Sequence, residues 1–519
     1  MIFRDKIGKM AEKYGDKVGT VCGGREYTYR FYDESSNAMA RYLNALGLQK
    51  SDRFALLSRN SHYHRQMLLT AGKSGFVWVP VNARFSADEI VRMIHDAEVK
   101  VLIISQEFMG MVKGLKSRLS TVEHYVCIDR GHEGYAYLED ETDKYSKEDL
   151  DTELTEDDML WFQYSSGTTG LPKAAVHTQR SGAAIGDLED LPQLANFCRT
   201  DSIALQYYSS YTFAGVGFDL MYALAGVRVM IQDKFDPVVV MKTIEEEKIT
   251  ITHVFPATLS MIVNSPEFGK FDLSSLECIT YGGAPMPTDV LVKGIKAIGP
   301  IFFQDYACSE ASMMSALNME DHVIDGSPEQ TKRLTSCGKF IAGIDTRILD
   351  TDGREVGPNV MGELTVKSDA VMKEYWKMPE ETAEALKDGR YYTGDIGVYD
   401  EDGFIYLLDR KKDMIISGGF NIYPAEIENV LMEHPAVHEA AVVGIPDDLW
   451  GEAICAHVVL YEGQKVAEEE LIGFAKEKLA GYKKPKIVKF VDSIPRTAVG
   501  KIKRKDIRTP YWEGRARKI

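Results

Sequence analysis

Apolar and polar residues along the 519-residue chain keep two rhythms. From Tyr29, the text YRFYDESSNAMARYLNALG sets Ala38, Leu43 and Leu46 at helical positions and closes on Gly47, a residue suited to a helix C-cap. Brief apolar runs follow at Phe54 to Leu57, Phe76 to Val81 and Val101 to Ile104, and each predicts a buried strand. Helical text lies between them: in SADEIVRMIHDAE, Ser86 is placed to cap and Glu89 stands three residues on. The alternation resumes at the strand MLWFQYS from Met159 and runs on through RVMIQ, KTIEEEK, ITHVFPA and LECITYGGA. This rhythm predicts an α/β fold with parallel sheets. No fixed-period repeat interrupts it.

Beyond LLDRKKD the alternation tightens: a helix-like AEIENVLMEHP, strands AAVVGI and AICAHVVLY, a helix EEELIGFAKEKLA and a short strand KIVKF. This predicts a small separate domain. The charged cluster at residues 409 to 413 lies between two ordered stretches and marks the boundary, giving a body over 1–409 and a second domain over 410–519.

At 58.2 kDa the chain exceeds the usual domain several-fold, which agrees with that division. Apolar residues make up 45% and charged residues 27%, so a wholly disordered or collagen-like chain is excluded. The formal charge of -17 argues against nonspecific nucleic-acid binding and against attraction to an anionic membrane. Cys22, Cys127, Cys198, Cys278, Cys308, Cys337 and Cys455 form no CxxC pair or metal-spaced cluster, and a reducing cytoplasm is expected. No export signal or transmembrane segment is predicted, since the first residues carry charge throughout and no 18-residue apolar run occurs.

Charge is uneven along the chain. Between Glu139 and Asp158, eleven acidic residues face two basic ones, which predicts a solvated surface excursion. Between Lys476 and Arg508, twelve basic residues face three acidic ones, either a solvated face or a surface that draws in anions.

The sharpest local signal is Tyr164-Ser165-Ser166-Gly167-Thr168-Thr169-Gly170-Leu171-Pro172-Lys173. After a strand, glycines and hydroxyls let backbone and side chains wrap an anion, and Lys173 adds charge. Pro172 departs from the Walker A pattern, and a serine-rich surface turn has the same composition. Tyr281-Gly282-Gly283-Ala284-Pro285 fits either a β-turn or a thin wall beside a flat ligand. In Asp305-Tyr306-Ala307-Cys308-Ser309-Glu310, taken alone, Glu310 reads as a surface acid and Cys308 as a buried thiol. Asp395, in Tyr391-Tyr392-Thr393-Gly394-Asp395, could form an Asx turn or accept two vicinal hydroxyls. His177 suits packing as well as catalysis.

Taken in order, these motifs resemble the adenylate-forming family of acyl-CoA synthetases, firefly luciferases and nonribosomal peptide adenylation domains, and the resemblance covers nearly the whole chain. It implies a large multi-subdomain adenylation body followed by a small mobile α+β C-terminal domain. By that resemblance Ser165, Ser166, Gly167, Thr168, Thr169, Gly170 and Lys173 embrace the phosphates of ATP. Gly282, Gly283 and Ala284 border adenine and the acyl pocket, Tyr306 stacks on adenine, and Glu310 holds Mg²⁺. Ser309 keeps the hydroxyl of the family's threonine, whereas Ala307 replaces a glycine and is expected to perturb the local backbone. Asp395 binds ribose, Arg410 reaches the nucleotide, Lys412 is the hinge, and Gly418 and Gly419 line a pantetheine tunnel. Pro495-Arg496-Thr497-Ala498-Val499-Gly500-Lys501-Ile502-Lys503-Arg504 matches the C-terminal signature and makes Lys501 the catalytic lysine.

The reaction implied joins a carboxylic acid to coenzyme A with ATP, through an acyl-adenylate, releasing AMP and pyrophosphate. The aromatic and apolar tract from Tyr207 to Phe218, with the Tyr281 to Pro285 segment and residues 306 to 314, points to a medium-chain or aromatic acid. An acceptor other than CoA (a carrier protein or an amine), a luciferase-like reaction, or a non-catalytic nucleotide-binding protein are the alternatives. The sequence carries no signal for oligomeric state.

Overall fold

The structure, a computed structural model, describes all residues except 132–133, 165–172, 188, 190, 411–412, 418–419, 497–501 and 514–519, and describes Asp409, Arg410, Phe420 and Asn421 by their backbone. The chain divides into two compact units. The first comprises Met1–Ser165, Pro172–Thr346 and Val366–Tyr391; the second includes Arg347–Thr365 and Tyr392–Ile519.

The first unit holds two sheets. One runs in the order Glu374–Tyr375, Ala174–Thr178, Met159–Tyr164, Val77–Pro80, Arg53–Leu57, Val99–Ile104, His124–Cys127, Ala136–Tyr137. From Met159–Tyr164 onward all neighbours are parallel, as the apolar runs predict. Both faces are covered: Phe54 and Leu56 enter one core, while Ala55 and Leu57 enter the other. The capping box forms at the predicted place, Glu89 N donating to Ser86 Oγ at 3.4 Å and Ser86 N to Glu89 Oε2 at 2.8 Å, and starts helix Ala87–Asp96.

The other sheet runs Lys339–Phe340, Ser312–Leu317, Phe302–Cys308, Cys278–Tyr281, Ile251–Val254, Ile203–Gln206, Arg228–Ile231, Val18–Cys22, Arg25–Thr28. Its middle strands, from Phe302–Cys308 to Val18–Cys22, are parallel. From Ile203–Gln206 the chain crosses by helix Phe213–Ala225 to the neighbour on one side, then by helix Pro237–Glu247 to Ile251–Val254 on the other. Strand order therefore reverses at Ile203–Gln206, the place where open α/β sheets leave a crevice at the carboxyl ends of their strands.

The acidic excursion is fastened by its main chain rather than left free in solvent. Arg41 donates to the carbonyls of Ser146, Glu148 and Asp149 at 3.0, 2.6 and 3.1 Å, and Arg4 to those of Leu150 and Thr152.

In the second unit, strands Phe420–Ile422, Ile415–Ser417, Gly451–Leu460 and Val437–Asp447 form an antiparallel sheet, with Ile487–Phe490 parallel to Gly451–Leu460. Ala440 and Val442 pack on one face, Ala441 and Val443 on the other. Helices Pro424–Met432, Glu468–Lys478 and Arg504–Trp512 complete an α+β arrangement. A further sheet includes strands Asp345–Leu349, Gly362–Lys367, Arg390–Tyr399 and Ile405–Arg410. Much of the basic run from Lys476 is paired within its own unit, as in Lys478 with Glu433, Lys483 with Glu426, Lys486 with Asp447 and Arg496 with Glu439. Among the described residues no helix is long and apolar enough to cross a membrane.

Candidate functional site

Lys173 follows the glycine-rich segment and opens strand Ala174–Thr178, which returns antiparallel against Met159–Tyr164. Ser165, Ser166, Gly167, Thr168, Thr169 and Gly170 lie outside the described residues. Across strand Ala174–Thr178 lies the two-residue strand Glu374–Tyr375, with Tyr375 opposite Ala175. This register sets the Tyr375 ring beside Lys173, whose Nζ is 5.0 Å from the ring centroid. The Tyr375 hydroxyl donates to Glu310 Oε1 at 3.0 Å. Burial, followed by the nearby Glu310 charge, raises the Tyr375 phenol above its ordinary value, so the hydroxyl stays protonated as a donor.

Glu310 is held by its backbone as well: its carbonyl accepts from Met372 N at 2.7 Å. Its Oε2 has no hydrogen-bond or ion-pair partner among the described residues. A single carboxylate with one oxygen available suits Mg²⁺, which is commonly held by one or two carboxylates and completed by substrate phosphates. No group of three or more His, Cys, Asp or Glu side chains arranged for a metal occurs among the described residues.

His177 is fully buried and stacks on Trp161 with ring centroids 4.2 Å apart. Its Nε2 donates to the carbonyl of Ser309 at 2.8 Å, a bond that puts the proton on Nε2. Burial lowers the imidazole to about 4, which keeps it neutral. His177 therefore ties the strand after the glycine-rich segment to the turn that carries Glu310. This packed role was one of the two readings open to it in the sequence.

Tyr306 lies in strand Phe302–Cys308, opposite Ser315. The register with Ser312–Leu317 shifts between Tyr306 and Ala307, a β-bulge, and Ala307 takes no positive φ. The expected strain of a methyl in place of glycine is thus absorbed, since the backbone there makes no demand that only glycine meets. At Gly282 the demand is real: an added Cβ would come 2.5 Å from the Asp305 carbonyl oxygen and 2.7 Å from Asp305 Oδ2. Gly283 has φ +78, the left-handed region, and Ala284 follows it partly buried.

Asp305 and His253 are the residues that sequence reasoning passed over. The carboxyl of Asp305 is 8% exposed, and Oδ1 has no hydrogen-bond partner among the described residues. Burial pushes that carboxyl up to about 7. His253 is 1% exposed; Nδ1 pairs with Thr280 Oγ1 at 3.0 Å, Nε2 has no partner among the described residues, and burial lowers the ring to about 3. The 3.7 Å separation of Nδ1 from Asp305 Oδ1 is therefore a contact with a neutral ring, not an ion pair. The available signal was a titratable residue inside an apolar strand, FFQDYAC and ITHV. Tyr375 had no such signal.

In the second unit, Asp395 is 6% exposed and stands opposite Arg410 in the antiparallel register of Arg390–Tyr399 with Ile405–Arg410. Asp395 N donates to Thr393 Oγ1 at 3.0 Å, and Gly394, at φ +72, donates to Glu363 Oε1 at 3.0 Å. Lys412, Gly418, Gly419 and Lys501 lie outside the described residues. The flanks of Lys501 are described: Arg496 and Ile502 form an antiparallel bridge, and Lys503 N donates to the Pro495 carbonyl at 2.8 Å. Arg504 reaches Glu428 Oε2 at 2.5 Å and Asp413 Oδ2 at 3.8 Å, linking the two flanking segments.

A family model described as AMP-binding enzyme matches residues 8–376, and one described as AMP-binding enzyme C-terminal domain matches residues 426–501. A fatty acid–[acyl-carrier-protein] ligase, ScoC, of Streptomyces coeruleorubidus is 35% identical over 503 residues, covering 96% of this chain and 94% of its own. A feruloyl-CoA synthase of an Amycolatopsis species is 34% identical over 492 residues, covering 94% and 95%. Among solved structures, the amide bond synthetase McbA from Marinactinospora thermotolerans aligns with a TM-score of 0.85 at 26% identity, covering 98% of this chain and 100% of that one.

Proposed function

Since the chain belongs to the family of AMP-binding enzymes and is an AMP-forming acid–thiol ligase, we propose that it joins a medium-chain or aromatic carboxylic acid to coenzyme A. ATP, the acid and CoA are its substrates. The observation that carries the reading is the convergence of Lys173 and Glu310 on Tyr375, which sets a cation and a carboxylate around one rigid ring.

A carboxylate is a poor acyl donor because it would have to expel oxide. In the first step a carboxylate oxygen of the acid attacks the α-phosphorus of ATP, the α–β bridging bond breaks, and pyrophosphate leaves. In the second, the CoA thiol gives up its proton to water, its sulfur attacks the carbonyl of the mixed anhydride, the acyl–phosphate bond breaks, and AMP leaves the thioester. Lys173, with Ser165, Ser166, Gly167, Thr168, Thr169 and Gly170, binds the phosphates and stabilises charge on the leaving pyrophosphate. Glu310 would hold Mg²⁺, whose positive charge offsets the negative charge building on the phosphate oxygens. Gly282, Gly283, Ala284, Tyr306 and Ser309 receive adenine and its neighbourhood, and Asp395 and Arg410 receive the ribose. Lys501 assists adenylation.

The domain reading stays with this proposal: a body over 1–409, a C-terminal domain over 410–519, rotation about Lys412, and a CoA-facing segment at Gly418 and Gly419. Seven cysteines, none of them in a disulfide, support a cytoplasmic location, and the charge of -17 supports the absence of a nucleic-acid partner. A second reading, transfer to a carrier protein or an amine, is favoured by the relatives named acyl-carrier-protein ligase and amide bond synthetase.

The test is ATP-dependent pyrophosphate release across a panel of carboxylic acids, with CoA, a carrier protein or an amine as acceptor. Lys501→Ala should reduce adenylation strongly and leave conversion of supplied acyl-adenylate to thioester largely intact. Pyrophosphate exchange near the unmutated rate in that variant would remove Lys501 from the mechanism.

A further inference from the structure

Two of the tracts assigned to the acid's tail, Tyr207 to Phe218 and Tyr281 to Pro285, come to the strand ends at the reversal point of the nine-stranded sheet. Tyr207 and Tyr208 leave the carboxyl end of Ile203–Gln206; His253 and Phe255 sit at the end of Ile251–Val254; Gly282 follows Cys278–Tyr281. Asp305 presses against Gly282 from the next strand. The His253 ring is enclosed by Phe218 at 4.6 Å, Phe255 at 5.0 Å and Tyr208 at 5.4 Å between centroids.

Among these rings the hydrogen-bond count does not close. The Thr280 hydroxyl donates to the Thr252 carbonyl at 3.3 Å, so the 3.0 Å contact with His253 is a donation from Nδ1–H, and Nε2 is a bare acceptor. Asp305 Oδ1 is a second buried acceptor without a donor among the described residues. An unmet buried acceptor costs about 1–3 kcal/mol, so two such acceptors on neighbouring strands of one aromatic enclosure call for a donor. A hydrocarbon tail would leave both unmet.

Resting on the ligase reading, we propose that the acid substrate is an aryl acid whose ring carries a hydroxyl or amino group, and that this group donates to Asp305 or to His253 where these strand ends meet. Plain fatty acids are then poor substrates, and Asp305 with His253 sets specificity rather than chemistry.

Pyrophosphate release with CoA, measured on matched pairs, tests this. Benzoic and cinnamic acids are compared with their ortho-, meta- and para-hydroxy and amino derivatives, alongside straight-chain acids. The best donor-bearing acid should exceed its unsubstituted parent at least about tenfold in kcat/KM. In Asp305→Leu or in His253→Phe the same ratio should fall to within about threefold, the ratio and not the rate being the readout. Equal or better use of the parent acids or of straight-chain acids by the unmutated enzyme overturns the inference alone, and this series decides even should neither variant fold. A ratio unchanged in both folded variants overturns it too. Absence of pyrophosphate release with every acid overturns the ligase reading and this inference with it.

Discussion

Tyr375 donates its hydroxyl to Glu310 Oε1 at 3.0 Å, and the face of the same ring receives Lys173 at 5.0 Å. Lysine and carboxylate thus each meet a different part of one buried side chain, 7% exposed and pinned by its pairing with Ala175. Such a ring orients both charges without requiring them to neutralise each other. Tyr375 is a positioning residue in this arrangement.

Tyr375→Phe keeps the ring and removes the donor. A hydrogen bond to a charged group is worth about 1.5–3 kcal/mol, so kcat/KM for MgATP should fall about tenfold or more. The Mg²⁺ concentration for half-maximal pyrophosphate release should rise in the same variant, a readout that loss of packing would not move. An unchanged Mg²⁺ response would remove Tyr375 from the site.

Gly282→Ala sets a methyl against the Asp305 carbonyl and carboxylate, where no real side-chain carbon fits. The strand ends must separate, at about 1–3 kcal/mol. Thermal denaturation should show the loss, and KM for the acid should rise more than KM for ATP. Gly473→Ala, in a helix with open space around it, is the matched control.

Stability should depend on pH in two opposed ways. His62, His64, His177, His253 and His322 are held by burial at about 3, about 4, about 4, about 3 and about 4. The unfolded chain takes up protons as pH falls through about 6.5 and the folded chain does not, so stability drops from there toward pH 4. Asp305 acts in the other direction. With its folded value raised to about 7 against 3.8, its contribution is complete below 3.8 and is lost as pH rises through 7. Melting temperature should therefore fall from pH 7 to pH 5, and Asp305→Asn should melt higher than the unmutated chain at pH 8, with the difference closing near pH 4. A difference constant with pH would contradict the assignment.

Arg504→Ala removes the guanidinium that meets Glu428, which is 5% exposed. Removing one partner of a buried pair costs about 3–5 kcal/mol. Hydrogen exchange should accelerate in helix Pro424–Met432 and in strand Val437–Asp447, where Val442 N donates to Glu428 Oε1 at 2.7 Å. Arg504→Lys should not restore protection, because a lysine cannot reproduce the fork that reaches both Glu428 and Asp413. Unchanged exchange would mean the pair is a surface contact of no consequence.

Much of the secondary structure was legible because it follows local periodicity. The runs at Phe54, Val101 and Met159 became strands, and Ser86 with Glu89 became a cap. Lys173, Glu310 and Asp395 were legible because each lies in glycine- and hydroxyl-rich text that has few other uses. Tyr375 was not, because a two-residue strand far along the chain delivers it to Glu310. Asp305 and His253 escaped for a related reason. Each reads as a member of its own strand, and their meeting depends on lateral strand order, which is set by crossovers on either side of Ile203–Gln206 and leaves no mark in local text.

An interior that leaves Asp305 Oδ1 and His253 Nε2 unanswered is less stable alone than with the compound that answers them. The melting curve of the resting enzyme is thus a search instrument in its own right: a library of small acids screened for heat protection, without nucleotide and without turnover, should rank candidates by how well they complete this corner.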